Sequence, residues 1–243
     1  MSEQKVNPNA WRAALARRLR DVYDQHGPGA FMQTCVQLLD AGVEGSKQGK
    51  LSGEVGEVVL AVLLPIYLEQ RGIKGSIHHS VYLYDLNNKD SSFRTEVDLV
   101  MVTDKVIVCF ECKSYKGSIK ITGDGVLERS GKKPMDVYAQ SLLHHKHIVP
   151  YAKRATLNSY RKPSPPVLSA GFLFSKATVQ DCRSPNSKQR FLFLTTSTLF
   201  QYLDKVFSIY KEPAYDLDGA KELFRKLSAS RNLKKQHKEY LGY

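Results

Sequence analysis

Cysteine is scarce in this 243-residue chain, and its four residues, Cys35, Cys109, Cys112 and Cys182, are too few and too scattered for a disulfide scaffold. Cys109-Phe110-Glu111-Cys112 spells C-x-x-C, but residues three apart on an extended strand point to opposite faces. That excludes a shared zinc ion or a disulfide there. Long apolar runs are also missing: the longest, Val58 to Leu64, is too short to span a membrane. The amino-terminal MSEQKVNPNAWRAALARRLRDVYD is charged and does not read as a secretory signal, so a cytoplasmic protein with no membrane partner is expected. Acidic residues are in deficit, 24 against 36 Lys and Arg, giving a formal charge of +12 and a pI near 9.5. Such a field attracts polyanions, of which nucleic acid is the commonest for a soluble protein. GSKQGK, Gly45 to Lys50, lacks the glycine spacing, the following hydroxyl residue and the preceding strand of a phosphate-binding loop, so no nucleotide site is assigned. What is present, 42% hydrophobic and 25% charged residues, describes one globular unit with length enough for a core.

The most informative stretch is Thr95 to Lys113, TEVDLVMVTDKVIVCFECK. Two β-branched apolar runs meet at Thr103-Asp104-Lys105 and read as a β-hairpin. With Asp104-Lys105 as the tight loop, residues whose numbers sum to 209 face each other. Asp98 then stands across from Glu111, and Glu96 across from Lys113, with all four charges on one face. Opposed carboxylates about 5 Å apart at an effective dielectric near 20 repel by roughly 3 kcal/mol. A divalent cation with a nearby lysine is the usual remedy. A cross-strand Glu96–Lys113 ion pair, with Asp98 merely closing a strand end, is the competing structural reading. Toward the turn, Val100, Val102, Ile107 and Cys109 continue the charged face, while Val97, Leu99, Met101, Val108, Phe110 and Cys112 line the other. Both faces are apolar for most of their length, as in central strands covered on both sides.

Around the hairpin, helices are expected over 9–25 and 29–41, broken at His26-Gly27-Pro28-Gly29, with Arg12, Arg17, Arg18 and Arg20 on a basic face. A Gly/Lys-rich linker (42–50) leads to a helix over 52–70. Its buried stripe is Val55, Val58, Val59, Val62, Leu63 and Ile66, and Pro65 should kink its last turn. Glu54 and Glu57 share a face of that helix, and Gly53 and Gly56 remove bulk beside them. Strands follow at 80–86, 117–122, 168–174 and 190–195, and helices at 134–149, 197–210 and 217–229, before a basic tail, 231–238. This order fits an α/β fold with a central mixed β-sheet flanked by helices. Phosphodiester hydrolysis needs hard oxygen ligands and positive charge beside the phosphate. Asp98 and Glu111 supply the first, with Glu57 or Glu54 and the backbone carbonyl of Cys112 as further ligands. Lys113 either orients the attacking water or stabilises the transition state. Gln140, His144 and His147 share a helical face, and His144 is a candidate to face substrate. The histidine cluster 144–147 reads more readily as a surface helix end than as a metal site. Lys116, Lys153, Arg154, Arg161 and Lys162, with Tyr151 and Tyr160 among the latter four, suit phosphate contact and base stacking, or a solvated loop.

Gly53-Glu54-Val55-Gly56-Glu57 on a helix, Glu96-Val97-Asp98 on a strand, Glu111-Cys112-Lys113-Ser114-Tyr115-Lys116-Gly117 on the next, and Pro134, Gln140 and His144 on a helix together resemble the NERD (nuclease-related domain) family. That family belongs to the PD-(D/E)XK nuclease-like superfamily. The resemblance runs from about Leu51 to Leu203. It implies a restriction-endonuclease-like core with extra N- and C-terminal helices, divided as an N-terminal helical extension (1–50), a NERD-like core (51–212) and a C-terminal helix with basic tail (213–243). It also implies that Glu57, Asp98, Glu111 and Lys113 are the acidic and basic active-site positions, with Gln140 lining the site. Glu96-Val97 stands where the superfamily's proline precedes the aspartate, which leaves the role of Glu96 open. The expectation is a Mg2+- or Mn2+-dependent nuclease acting on DNA, with RNA as an alternative substrate, in repair or in defence against foreign DNA. A homodimer and separate partner proteins are compatible with it. The rival is a non-catalytic nucleic-acid-binding module of the same fold.

Overall fold

The computed structural model describes residues 8–41, 49–84, 93–129, 131–186 and 191–229. Residues 42–48 of the expected linker, residues 85–92 and the basic tail 231–238 lie outside these residues. Helix α1 (Pro8–Ala41) is two helices joined across Gly27, whose φ of 79° is available to glycine, with Pro28 immediately after it. The break therefore falls within the His26–Gly29 segment, where it was anticipated. Helix α2 (Gly49–Gln70) continues through Pro65 to Gln70. It is buried on more than a stripe: Leu60, Leu64, Tyr67 and Leu68 are covered as well as the expected valines. The reason is that α2 is sandwiched between α1 and the sheet. Arg20 fastens the two helices at the rim, with Nη2 2.7 Å from Glu69 and Nε 2.7 Å from Asp24.

Strands β1 (Gly75–Tyr84), β2 (Phe93–Thr103) and β3 (Ile107–Tyr115) form an antiparallel meander. Next come the short strands β4 (Ile119–Ile121), β5 (Leu127–Arg129) and β6 (Lys132–Met135), and then helix α3 (Val137–Arg154). Strand β7 (Val167–Ser175) returns parallel to β3, followed by β8 (Val179–Asp181), β9 (Leu192–Leu194), α4 (Leu199–Ile209) and α5 (Leu217–Ala229). The main sheet has the order β1-β2-β3-β7-β9, and a second sheet has the order β6-β5-β4-β8. This is the α/β arrangement of a central mixed sheet flanked by helices that was expected. The hairpin register is as read from sequence: Leu99↔Phe110, Val100↔Cys109, Met101↔Val108 and Val102↔Ile107 all sum to 209. The Thr103 hydroxyl accepts the N–H groups of Lys105 and Val106 and fixes the turn.

Both faces of the hairpin are covered. Leu99, Met101, Val108, Phe110 and Cys112 pack with α1, α2 and α4, whereas Val100, Val102, Ile107 and Cys109 pack with α3 and α5. Val97 departs from the expected alternation and joins the α3/α5 side. Cys109 and Cys112 sit in different core layers, both as free thiols, in keeping with the rejection of a shared bridge. A third cluster, Ile119, Ile121, Leu127, Val137, Leu173 and Phe191, seats the small sheet.

The boundaries of β1 and α3 differ from expectation. Strand β1 begins at Gly75 rather than at residue 80. Pro134 lies in β6, and α3 starts three residues later, because the Asp136 carboxylate accepts the N–H of Ala139 and caps it there. The same helix runs on to Arg154 through Pro150, which puts the histidine cluster in its middle. Among the described residues no helix is long and apolar enough to cross a membrane.

Candidate active site

The hairpin ladder stops at Leu99↔Phe110, and Asp98 lies just beyond. The register assigns Val97 as the partner of Cys112, but the Cys112 N–H donates instead to Asp98 Oδ2 at 2.7 Å. The carboxylate therefore occupies an opened seam between β2 and β3 rather than standing directly opposite Glu111. On an extended strand the N–H and C=O of one residue project to the same side, so the Cys112 carbonyl faces this seam too. The other edge of β2 is interrupted at the same level. Pairing with β1 is regular at His79↔Leu99 and Val81↔Val97, but Ser80, across from Asp98, adopts φ 46°. Positive φ in a non-glycine residue is a local strain.

Glu111 comes from β3, where it pairs through its backbone with Gly171 of β7. It is buried, with Lys113 Nζ donating to its Oε1 and His144 Nδ1 3.6 Å from its Oε2. Glu57 arrives from α2, with Arg12 Nη1 3.4 Å from its Oε2. Its helix can approach because Gly56 has no side chain: a Cβ there would meet Ser114 Cβ at 3.2 Å and Phe174 Cβ at 3.6 Å. Burial, and then the charges of Glu111 and Glu57, push the Asp98 carboxyl well above its usual range, against the opposing pull of Lys113 and the Cys112 N–H. Burial alone would lower the Lys113 ammonium, but the Glu111 and Asp98 carboxylates outweigh it and hold it above the ordinary lysine value. Lys113 is therefore a cation at neutral pH. Burial lowers His144, with Glu111 opposing and Lys113 and His147 adding to the effect.

Three carboxylates and a backbone carbonyl are hard oxygen donors, and the Asp98 carboxyl is raised by burial and by the Glu111 and Glu57 charges, which Lys113 only partly offsets. This donor chemistry fits a hard divalent cation. Among the described residues no three His, Cys, Asp or Glu side chains already close around an ion. Of Glu54 only the backbone is described, so Glu57 is the helix carboxylate whose side chain can be placed.

Other expected residues are dispersed. Gln140 is exposed on α3, one turn before His144. His144 and His147 are buried, contrary to a surface helix end, because α3 lays this face on the sheet. Lys116 Nζ donates to the backbone carbonyl of Asp40, tying β3 to the end of α1. Lys153 and Arg154 lie about 15 Å further along α3 than His144, at ~1.5 Å per residue. They and Arg161 and Lys162 are exposed at the end of the sheet where β7 begins, away from Glu111. Tyr151 is not available for base stacking: it is buried, and its hydroxyl hydrogen-bonds the Tyr84 backbone. The Tyr160 hydroxyl donates to the Ser164 carbonyl. Glu96 pairs across β1 with Tyr82, and burial and the Glu96 charge raise that phenol to about 12. The proposed Glu96–Lys113 pair is thus replaced by Glu96 with Tyr82 and Lys113 with Glu111. Arg12 and Ser80 were not singled out as site residues. The only sequence signal for Arg12 was the basic face of the first helix, and Ser80 gave none.

A helix carboxylate, a strand aspartate in an opened seam and an E-x-K strand are thus gathered over one mixed sheet. Residues 52–168 match the family model described as nuclease-related domain, NERD. The matched span runs from α2 to the start of β7 and contains Glu57, Asp98, Glu111, Lys113 and Gln140, but not Arg12. No curated protein matches the chain. Among solved structures it is similar to the cAAA-bound form of NucC from P. aeruginosa ATCC27853, with 12% identity, TM-score 0.39, and coverage of 87% of this chain and 98% of that one. It is also similar to the cAAA-bound form of NucC from E. coli MS115-1, with 11% identity, TM-score 0.37, and coverage of 91% and 99%.

Proposed function

We propose that the chain is a Mg2+- or Mn2+-dependent nuclease that hydrolyses phosphodiester bonds in DNA, using Asp98, Glu111 and Glu57 with the Cys112 carbonyl as the metal-holding set. The observation that carries this reading is the half-buried Asp98 carboxyl, held by the Cys112 N–H in the seam beside two other carboxylates and a lysine that remains charged. When bound, a divalent ion supplies charge neutralisation at the phosphate and a more acidic water. The chain's own residues do the rest. The Cys112 N–H orients Asp98. Glu111 holds the Lys113 ammonium at the site, where it stabilises the negative charge that builds on the phosphate oxygens. A permanently charged lysine suits that electrostatic role and not proton abstraction. His144 Nδ1 lies 3.6 Å from the second oxygen of Glu111, and Gln140, a turn away and exposed, is available to substrate.

The test is cleavage of duplex, single-stranded and branched DNA, and of RNA, in magnesium, in EDTA and by the Lys113→Ala protein. The wild type should cut DNA only with metal, and Lys113→Ala should lose at least about 100-fold. Undiminished cutting in EDTA or by Lys113→Ala would refute this site. Salt-sensitive binding without turnover would leave the non-catalytic reading in its place.

A further inference from the structure

Arg12 belongs to α1, outside the matched domain, yet its guanidinium reaches Glu57, and its charge also bears on His79 and Tyr82 of β1. Two arginines of this helix make instructive opposites. Arg20 grips Glu69 with two nitrogens at 2.7 and 3.2 Å, on an exposed rim. That is the bidentate geometry of a structural ion pair. Arg12 instead approaches Glu57 at 3.4 Å, longer than the ~2.7–2.9 Å of a well-formed charge-assisted hydrogen bond, although both side chains are largely shielded from solvent. A planar guanidinium fork matches a phosphate at least as well as a carboxylate. Glu57 is also one of the three carboxylates that a divalent cation would draw toward itself.

We propose that Arg12 is a phosphate-binding residue of the nuclease site, held on Glu57 in the resting protein and turned to the nucleic-acid backbone when that carboxylate is taken by metal. The N-terminal helix is then part of the substrate site and not only a cover for α2. This inference rests on the nuclease reading above, so its test reads nucleic-acid binding rather than cutting.

DNA affinity is measured against salt concentration in magnesium, in a Lys113→Met background that blocks cleavage, with Arg12 intact, as Arg12→Gln and as Arg12→Lys. One lost phosphate contact on duplex DNA should make the slope of log K against log salt shallower by about 0.9 for Arg12→Gln. Arg12→Lys should keep the slope and bind more weakly, because it keeps the charge and loses the fork. Arg20→Ala, which breaks the pair with Glu69, should leave the slope unchanged. If Arg12→Gln melts too low to assay, Arg12→Lys decides: affinity equal to that of the arginine protein would overturn the proposal. A slope unaffected by Arg12→Gln would overturn the role of Arg12 while leaving the nuclease reading intact. Failure of the arginine-containing protein to bind any nucleic acid would remove the nuclease reading itself, and this inference with it.

Discussion

Asp98→Asn should make the metal-free protein more stable while abolishing its proposed chemistry. The asparagine oxygen can still accept the Cys112 N–H that Asp98 receives at 2.7 Å, so the seam keeps its hydrogen bond. What disappears is a half-buried negative charge opposed by Glu111 and Glu57. One like-charge pair about 6 Å apart at an effective dielectric near 20 costs roughly 3 kcal/mol. Lys113 offsets part of this, and exchanging a charged acceptor for a neutral one gives back about 1 kcal/mol. A net gain of about 1–2 kcal/mol remains, or about 2–8 °C in Tm for a chain of this length. The pH dependence fixes the sign. An acid whose carboxyl is raised in the folded state is protonated in both states at low pH and contributes its full stability there. It becomes progressively destabilising as pH climbs above the unfolded value of 3.8. The advantage of Asn should therefore be largest near about pH 8 and shrink toward about pH 5. Thermal melts of both proteins in EDTA at those two pH values are sufficient. An Asn variant that melts below wild type near pH 8, or whose gain is the same at both pH values, would refute the crowded-carboxylate account.

Gly56→Ala should leave Tm within about 1 kcal/mol equivalent, because the helix-propensity gain offsets crowding against Ser114 at 3.2 Å. Cleavage should nevertheless fall about tenfold or more, since the displaced α2 carries Glu57; unchanged cleavage rates would show that the close approach is incidental. His78 is buried, hydrogen-bonded to Ser76 at 2.8 Å, and lowered by burial to about 4. A base depressed below its unfolded value of 6.5 favours unfolding as pH falls, so it should withdraw about 2 kcal/mol between about pH 7.5 and pH 5. Chemical denaturation of His78→Gln at the two pH values should show that loss diminished, and an identical loss in both proteins would contradict it.

The local chemistry of the chain made much of this fold legible. Gly27-Pro28 breaks α1 because one residue adopts positive φ and the next has no N–H to donate. The last helix was expected at 217–229 and is found at Leu217–Ala229. Strands β5 and β8 were not, because three residues hold too little alternation to distinguish a strand from a loop. Pro134 pointed to a helix start, but the cap that sets the boundary is Asp136, two residues later.

For the site, the residue pattern sets the hairpin register, the apolar character of both faces and the spacing that puts Glu111 and Lys113 on one side of β3. These follow from a two-residue period and a turn that Thr103 can close. Long-range packing is what parts β2 and β3 at Asp98, turns the Cys112 N–H to its carboxylate, brings Glu57 down from α2 and lets Arg12 reach it from a helix 45 positions earlier in the chain. Those contacts join elements distant in sequence, and they depend on how helices pack over a sheet, which no local pattern of residues encodes.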